Sequence, residues 1–393
     1  MSSNRRQQQS NSAVGVAVAV GAAVGVGLGT LIWYAGKKLS ESLLEAGSSS
    51  EPSCSRSLDE LHREAAAKRK KDSKLVQHLN KYYEDRVEIP DLAVVCQIVQ
   101  DMRMELIDFF KTYYPDLLLS DVLCQSDDLE GLHARKIDDL DLFVVIKLDE
   151  HEWQLQKSLI DPRHYDIKRM ASDCDSSLSL IDSCLVDDML SPMKFIDFMT
   201  KDFCHKFIVP IDSYQVVPVT VGSSVALNIC NDGKSVRFNL IPAIRLGNVL
   251  VTPDSSAARQ NVWQESFFEK EMQKLYKLNP KRCCHLRCIQ IMKAVACDHQ
   301  TEFGFLNPYI YKTVVLQMLD DDPNECQWLH DDLPARFTAV LKMLVFYLMG
   351  RNAPHYFLPD LNLLEGVSAE SCDVLVDLIQ TCINEEKMSV LLG

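Results

Sequence analysis

Hydrophobic residues fall along this chain in successive, differently spaced patterns. From Ala13 to Ala35 no charged residue occurs; the run ends in Trp33 and Tyr34 and is closed by Lys37 and Lys38. About twenty apolar residues span a bilayer, and Trp and Tyr favour its interface. Residues 13–35 are therefore read as a retained transmembrane anchor behind a short polar N-terminus, residues 1–12. A cleaved signal peptide would show a shorter apolar core and a small-residue cleavage site. Gly21, Gly25 and Gly29 line one side of the anchor at the spacing of associating membrane helices, which leaves a homodimer open.

Residues 36–72 are rich in Ser, Glu, Lys and Arg and read as a flexible charged tether. Helical spacing then begins: Leu75, Leu79 and Tyr82 form one stripe, and Val95, Ile98, Met102, Leu106 and Phe109 form a second after Pro90. The run Leu140 to Leu148 is rich in branched and aromatic residues, unbroken from Leu142 to Ile146, the pattern of a buried strand. Val216–Val221, Val225–Ile229 and Val236–Ile244 predict strands separated by turns at Gly222 and Asp232-Gly233. From Gln264 the spacing is helical to the end, over Phe267–Tyr276, Cys288–Val295, Tyr309–Met318, Leu333–Met349 and Ala369–Ile383. The fold class is α+β and bilobed: an α/β lobe over 73–263 and a helical lobe over 264–393, with the cleft between them as the ligand site.

Composition changes this picture little. Hydrophobic residues make up 47% and charged residues 24%, as in an ordinary globular protein. The net charge of −14 argues against nucleic-acid binding as the main task, because phosphate contacts need a basic surface, and leaves room for a local basic patch. The 14 cysteines form no CxxC pair and fit a reducing compartment. Cys283, Cys284, His285 and Cys288 lack the paired spacing of a tetrahedral zinc site and read as buried thiols at a helix start.

Candidate chemistry gathers at the head of the first strand. Asp139 and Asp141 are two apart, so a strand directs both to one face, where two carboxylates can hold a divalent cation. That pair is the core of a nucleotidyltransferase site; the alternative is an acidic loop running into an ordinary strand.

Several segments, in order, resemble the mitochondrial dynamics proteins, also called mitochondrial elongation factors. They are Lys81-Tyr-Tyr-Glu-Asp-Arg-Val-Glu-Ile-Pro90, Asn261-Val-Trp263, Cys288-Ile-Gln-Ile-Met-Lys293-Ala and Asp360-Leu-Asn-Leu-Leu364. The resemblance covers the chain from about Leu75 to its end. It implies an outer-membrane adaptor with an N-terminal anchor and a cytosolic domain of nucleotidyltransferase-like fold. Trp263-Gln-Glu-Ser-Phe267 and Asp139-Leu-Asp141 are similar to segments of the wider superfamily that includes cyclic GMP-AMP synthase.

The resemblance carries over unevenly. An active member has a Gly-Ser pair before the carboxylate strand; here that place reads Cys124-Gln125-Ser126-Asp127. A third carboxylate is expected within Phe238-Asn239-Leu240, and Asn239 stands there. Two-metal phosphoryl transfer needs metals clamping both the attacking and the leaving oxygen, so the chain is read as a pseudoenzyme. The family contacts to a purine nucleoside diphosphate fall on Ser126, Asp139, Asp141, Ser266 and Lys293, although an arginine expected two residues after Ser266 is Phe268. Ser266 and Lys293 suit phosphate; the alternative is a surface serine and a solvated helix lysine. The family's recruitment loop for a dynamin-related fission GTPase falls between Tyr165 and Pro192. There Lys168 and Arg169 match a basic pair, followed by Ser172 and Asp173.

The function that follows is adaptation, not catalysis. A mitochondrial outer-membrane protein, held in the lipid bilayer by residues 13–35 with its C-terminal domain cytosolic, recruits a dynamin-related GTPase and adjusts fission. The competing expectation is a membrane-tethered nucleotidyltransferase using a metal at Asp139 and Asp141.

Overall fold

The computed structural model describes residues 74–393 apart from 88–91, 126–138, 160, 171–179, 208–214, 222–223, 232–233, 255–261 and 385–386. The anchor and tether read from the sequence, and the candidate residues Ser126, Ser172 and Asp173, lie outside the described residues.

Two strands organise the sheet. β2 (Asp139–Leu148) runs parallel to β9 (Lys234–Leu246) in unbroken register from Asp139↔Arg237 to Leu148↔Leu246. β1 (Leu119–Gln125) covers the other edge of β2. The length of β9 lets it pair on its second side with β8 (Ser224–Asn231) and then with β10 (Val249–Pro253). A two-residue turn joins β9 to β10, with Gly247 at φ +57; a Cβ there would meet the Glu150 carboxylate at 2.2 Å. β11 (Trp263–Glu265) continues the sheet to β4 (His164–Arg169), β6 (Met189–Leu190) and β5 (Leu185–Val186). β3 (Trp153–Lys157) pairs with β4, and β7 (Gln215–Val221) with β8.

Side chains alternate across a strand, and β2 shows why its sequence reads as continuously apolar. Leu142, Val144, Ile146 and Leu148 enter a core closed by the helices α2 (Leu92–Tyr113) and α4 (Pro192–Lys206). Phe143 and Val145 enter a smaller cluster on the opposite face with Ala243, Leu250 and Phe268.

The helical lobe has its own core, running from Leu275 to Leu392 around the helices α6 (His285–Asp298), α8 (Tyr309–Asp321), α9 (Leu333–Gly350) and α10 (Ala369–Asn384). The span 330–350 is apolar and long enough to cross a membrane. Leu333, Phe337, Val340, Leu341, Leu344 and Leu348 nevertheless pack into this core.

One boundary differs from the sequence reading. The helix α1, residues 74–86, was expected in the α/β lobe, yet Leu79 and Tyr82 belong to the helical core. Tyr82 Oη donates to Asp298 Oδ2 at 2.7 Å, Arg86 lies 3.4 Å from the same carboxylate, and Arg287 covers the Tyr83 ring at 4.5 Å. An apolar stripe specifies that a helix is covered, not which lobe covers it.

Candidate functional site

The polar end of the β2 and β9 faces is set by register. Asp141 stands on the same side of β2 as Phe143 and Val145, so it belongs to the face of the sheet that carries Phe268. Asp139, two residues earlier, is opposite Arg237 in the register of β2 and β9. Asp141 is opposite Asn239 on β9 and Gln125 on β1. Asn239 Nδ2 donates to Asp141 Oδ1 at 3.0 Å, and Arg237 Nε donates to Asn228 Oδ1 at 3.2 Å. A third carboxylate beside Asp141 would repel it and call for a cation. The amide instead supplies a donor, so Asp141 gains a partner without a metal. Among the described residues, no three His, Cys, Asp or Glu side chains gather as a metal site.

Ser266 and Lys293 belong to the helical part of the chain. Ser266 follows β11, its N–H donates to Leu250 O at 2.8 Å, and the helix α5 (Phe268–Leu275) begins two residues later. Phe268, where an arginine was expected, packs edge-on to Phe143 with ring centres 6.2 Å apart. A guanidinium in that cluster would be buried among apolar groups, so the position serves the core. Lys293 is 8% exposed on α6, a helix buried on nearly every side from His285 to Val295. It is therefore not a solvated helix lysine. Ile289, Met292 and Val295 are buried, and Cys283, Cys284 and Cys288 are buried at the start of the same helix.

Sequence reasoning missed a neighbouring network. Lys312 Nζ donates to Glu271 Oε2 at 2.8 Å, with both side chains 6% exposed. Tyr309 stacks on His355 at 4.4 Å, and Phe267 stacks on Phe357 at 4.9 Å. Burial and the Glu271 carboxylate push the Tyr309 hydroxyl far above its usual range. Burial, with Arg163 adding, pushes His355 down to about 4. The available signal was a lysine inside the apolar run Tyr309–Met318.

Lys168 and Arg169 were expected in an exposed loop and instead close the strand β4. The residues around them form β5, β6 and the helix α3 (Leu180–Ser183), with Asp187 and Asp188 turning the β5–β6 hairpin at φ 50 and 62. Arg169 pairs with Asp182, and its guanidinium lies 5.9 Å from the Trp153 ring. Lys168 faces the other way, opposite Gln154 on β3 and Met189 on β6.

Residues 91–271 match the family described as mitochondrial dynamics protein MID51-like, C-terminal domain. Residues 284–381 match the Mab-21 protein HhH/H2TH-like domain. Mitochondrial dynamics protein MID49 of Xenopus laevis is 23% identical over 320 residues, which is 77% of this chain and 67% of that protein. The proteins of the same name from Homo sapiens and Pongo abelii are each 23% identical over 314 residues, covering 76% of this chain and 68% of theirs. The chain is similar to the mitochondrial dynamics proteins over about three quarters of its length. Its MID51-like match ends within α5 and its Mab-21 match begins at Cys284, immediately before α6, so the two matches divide where the two cores divide. Together with the mixed strand and helix content they support the nucleotidyltransferase-like α+β fold expected of a mitochondrial dynamics protein.

Proposed function

We propose that this chain is a mitochondrial dynamics adaptor without catalytic activity. Residues 13–35 anchor it in the outer mitochondrial membrane as a single-pass protein with its C-terminal domain in the cytosol. There it recruits a dynamin-related GTPase through the surface around Lys168 and Arg169, and so regulates fission. What carries the reading is the match of both lobes, in order, to the MID51-like and Mab-21 domains. The amide of Asn239, bonded to Asp141 where a third carboxylate would serve phosphoryl transfer, supports the absence of chemistry.

The test is capture of a purified dynamin-related GTPase by the full chain in detergent micelles. Capture at low salt that weakens as salt rises is the expected result, since exposed ionic contacts are screened. No capture at any salt removes the adaptor reading. Incubation with nucleoside triphosphates and Mg²⁺ or Mn²⁺ tests the rival enzyme. A metal-dependent product that Asp141→Ala abolishes would replace the adaptor.

The reading includes a ligand at the lobe junction, a purine nucleoside diphosphate held by Ser126, Asp139, Asp141, Ser266 and Lys293. Lys293 stands on the buried helix α6, and its ammonium suits a phosphate as a point charge. Two carboxylates beside a diphosphate call for a bridging divalent cation. Affinity is therefore expected to rise with Mg²⁺ or Ca²⁺, and Lys293→Ala to weaken it by about 1–3 kcal/mol. Calorimetry with metal and with chelator measures both. Tight binding in chelator that ignores Lys293→Ala would place the ligand elsewhere.

A further inference from the structure

The two basic residues at the end of β4 stand in unlike surroundings. Arg169 meets the carboxylate of Asp182 from α3, and the two side chains are 22% and 7% exposed. Trp153, its cross-strand partner and itself buried, lies beneath the guanidinium. The Arg169 N–H donates to Asp188 O at 2.8 Å, which ties the same residue to the β5–β6 turn. Were the guanidinium to swing outward to another protein, it would give up both the Asp182 carboxylate and the Trp153 ring. That loss exceeds what an exposed ion pair returns.

Lys168 alternates to the opposite face. There it sits across from the exposed Gln154 and two residues from the exposed Asp166. Its ammonium pairs with no carboxylate among the described residues.

We infer that Arg169 is a positioning residue. Clamped between Asp182 and Trp153, it fixes the end of β4 and presents Lys168, which alone of the basic pair meets an acidic patch on the recruited protein. This rests on the recruitment reading above and divides between two residues a role first given to both. A strand end held by a partly buried ion pair and an aromatic ring keeps its register. A lysine on the opposite face of that strand then projects from a fixed base, so less ordering is needed when the partner arrives.

The test measures the thermal midpoint of the full chain in detergent micelles and its affinity for the dynamin-related GTPase at low and high salt. Lys168→Glu is expected to weaken the complex roughly tenfold at low salt and to leave the midpoint unchanged. Arg169→Glu sets two carboxylates together and is expected to lower the midpoint by about 5 °C. Where that reversal does not fold, Arg169→Met supplies the thermal comparison with a smaller loss. The charge swap, Arg169→Glu with Asp182→Arg, is expected to regain most of the midpoint and the affinity of the parent. A swap that regains the midpoint but still binds roughly tenfold more weakly would mean that Arg169 touches the partner, and the inference falls. It falls equally if Arg169→Glu is as stable as the parent, for then no clamp exists. Failure of the parent chain itself to bind would remove the recruitment reading and the role of Lys168, leaving the clamp to be judged by the thermal series.

Discussion

Asp141 with Asn239 and Glu271 with Lys312 are two acid–nitrogen contacts of nearly equal length, 3.0 Å and 2.8 Å, on opposite sides of the lobe boundary. They differ in charge and in water. Asp141 is half-buried and receives a neutral amide, whereas Glu271 and Lys312 are both charged and both 6% exposed. The first contact satisfies an acid cheaply and asks for no metal. The second is stable only while both partners remain, because either charge alone in that interior is strongly disfavoured. On the sheet side an amide thus stands beside Asp141, while the helical side joins α5 to α8 through a bond between two charged groups.

The sharpest way to break the comparison is to remove one member of the buried pair. Lys312→Met leaves Glu271 without its cation and is expected to cost about 3–5 kcal/mol of stability, read by urea unfolding. The double variant Lys312→Met with Glu271→Leu should recover most of that loss, since a well-packed apolar pair often matches a buried ion pair. A single variant that unfolds like the parent would mean Glu271 is solvated after all, and the contrast with Asp141 would vanish.

How much of this was legible in the sequence follows from sequence separation. β2 could be read because both of its faces are buried, which writes branched or aromatic residues at every position from Leu142 to Ile146. The missing acid at position 239 was also visible. The bond from Asn239 to Asp141 was not, because it joins residues 98 apart and depends on the parallel register of β2 and β9. Glu271 and Lys312 are 41 apart on different helices, and helical spacing gives each a face without naming its neighbour. The same blindness placed α1 in the wrong lobe and Arg169 on an open loop. Patterns report burial; pairing is decided by tertiary register.

A smaller effect separates the two sides by pH. An ordinary imidazole titrates near 6.5, and burial with the nearby Arg163 pushes His355, stacked on Tyr309 in the helical lobe, down to about 4. The unfolded chain therefore binds a proton below about pH 6.5 that the folded chain refuses until about pH 4. The contribution of the neutral ring is complete above that range and is lost as pH falls through it. About 2 kcal/mol of stability should disappear between pH 7 and 4.5, less than the full shift implies because the loop can relax to hydrate the cation. Urea unfolding across this range measures it, with His355→Gln as the chain expected to lack this part of the slope. An equal slope in that variant would assign the acid sensitivity to other groups.

The smallest expected effect tests the sheet side itself. Asn239→Asp replaces the donor 3.0 Å from Asp141 with a second carboxylate. In chelator the like charges at this half-exposed position should cost about 1 kcal/mol, since water screens much of their repulsion. Mn²⁺ or Mg²⁺ should then return the stability or exceed it, because a hard divalent cation bridges the carboxylates that repel without it. The parent chain, whose Asp141 already holds an amide, should gain less from the same ions. Unfolding curves for both chains, with metal and with chelator, give the comparison directly. Equal metal responses would show that Asn239 does not govern cation binding at Asp141. A variant that gains metal-dependent stability yet releases no product from nucleoside triphosphates would separate the two properties: cation binding turns on position 239, and chemistry needs more than a carboxylate there.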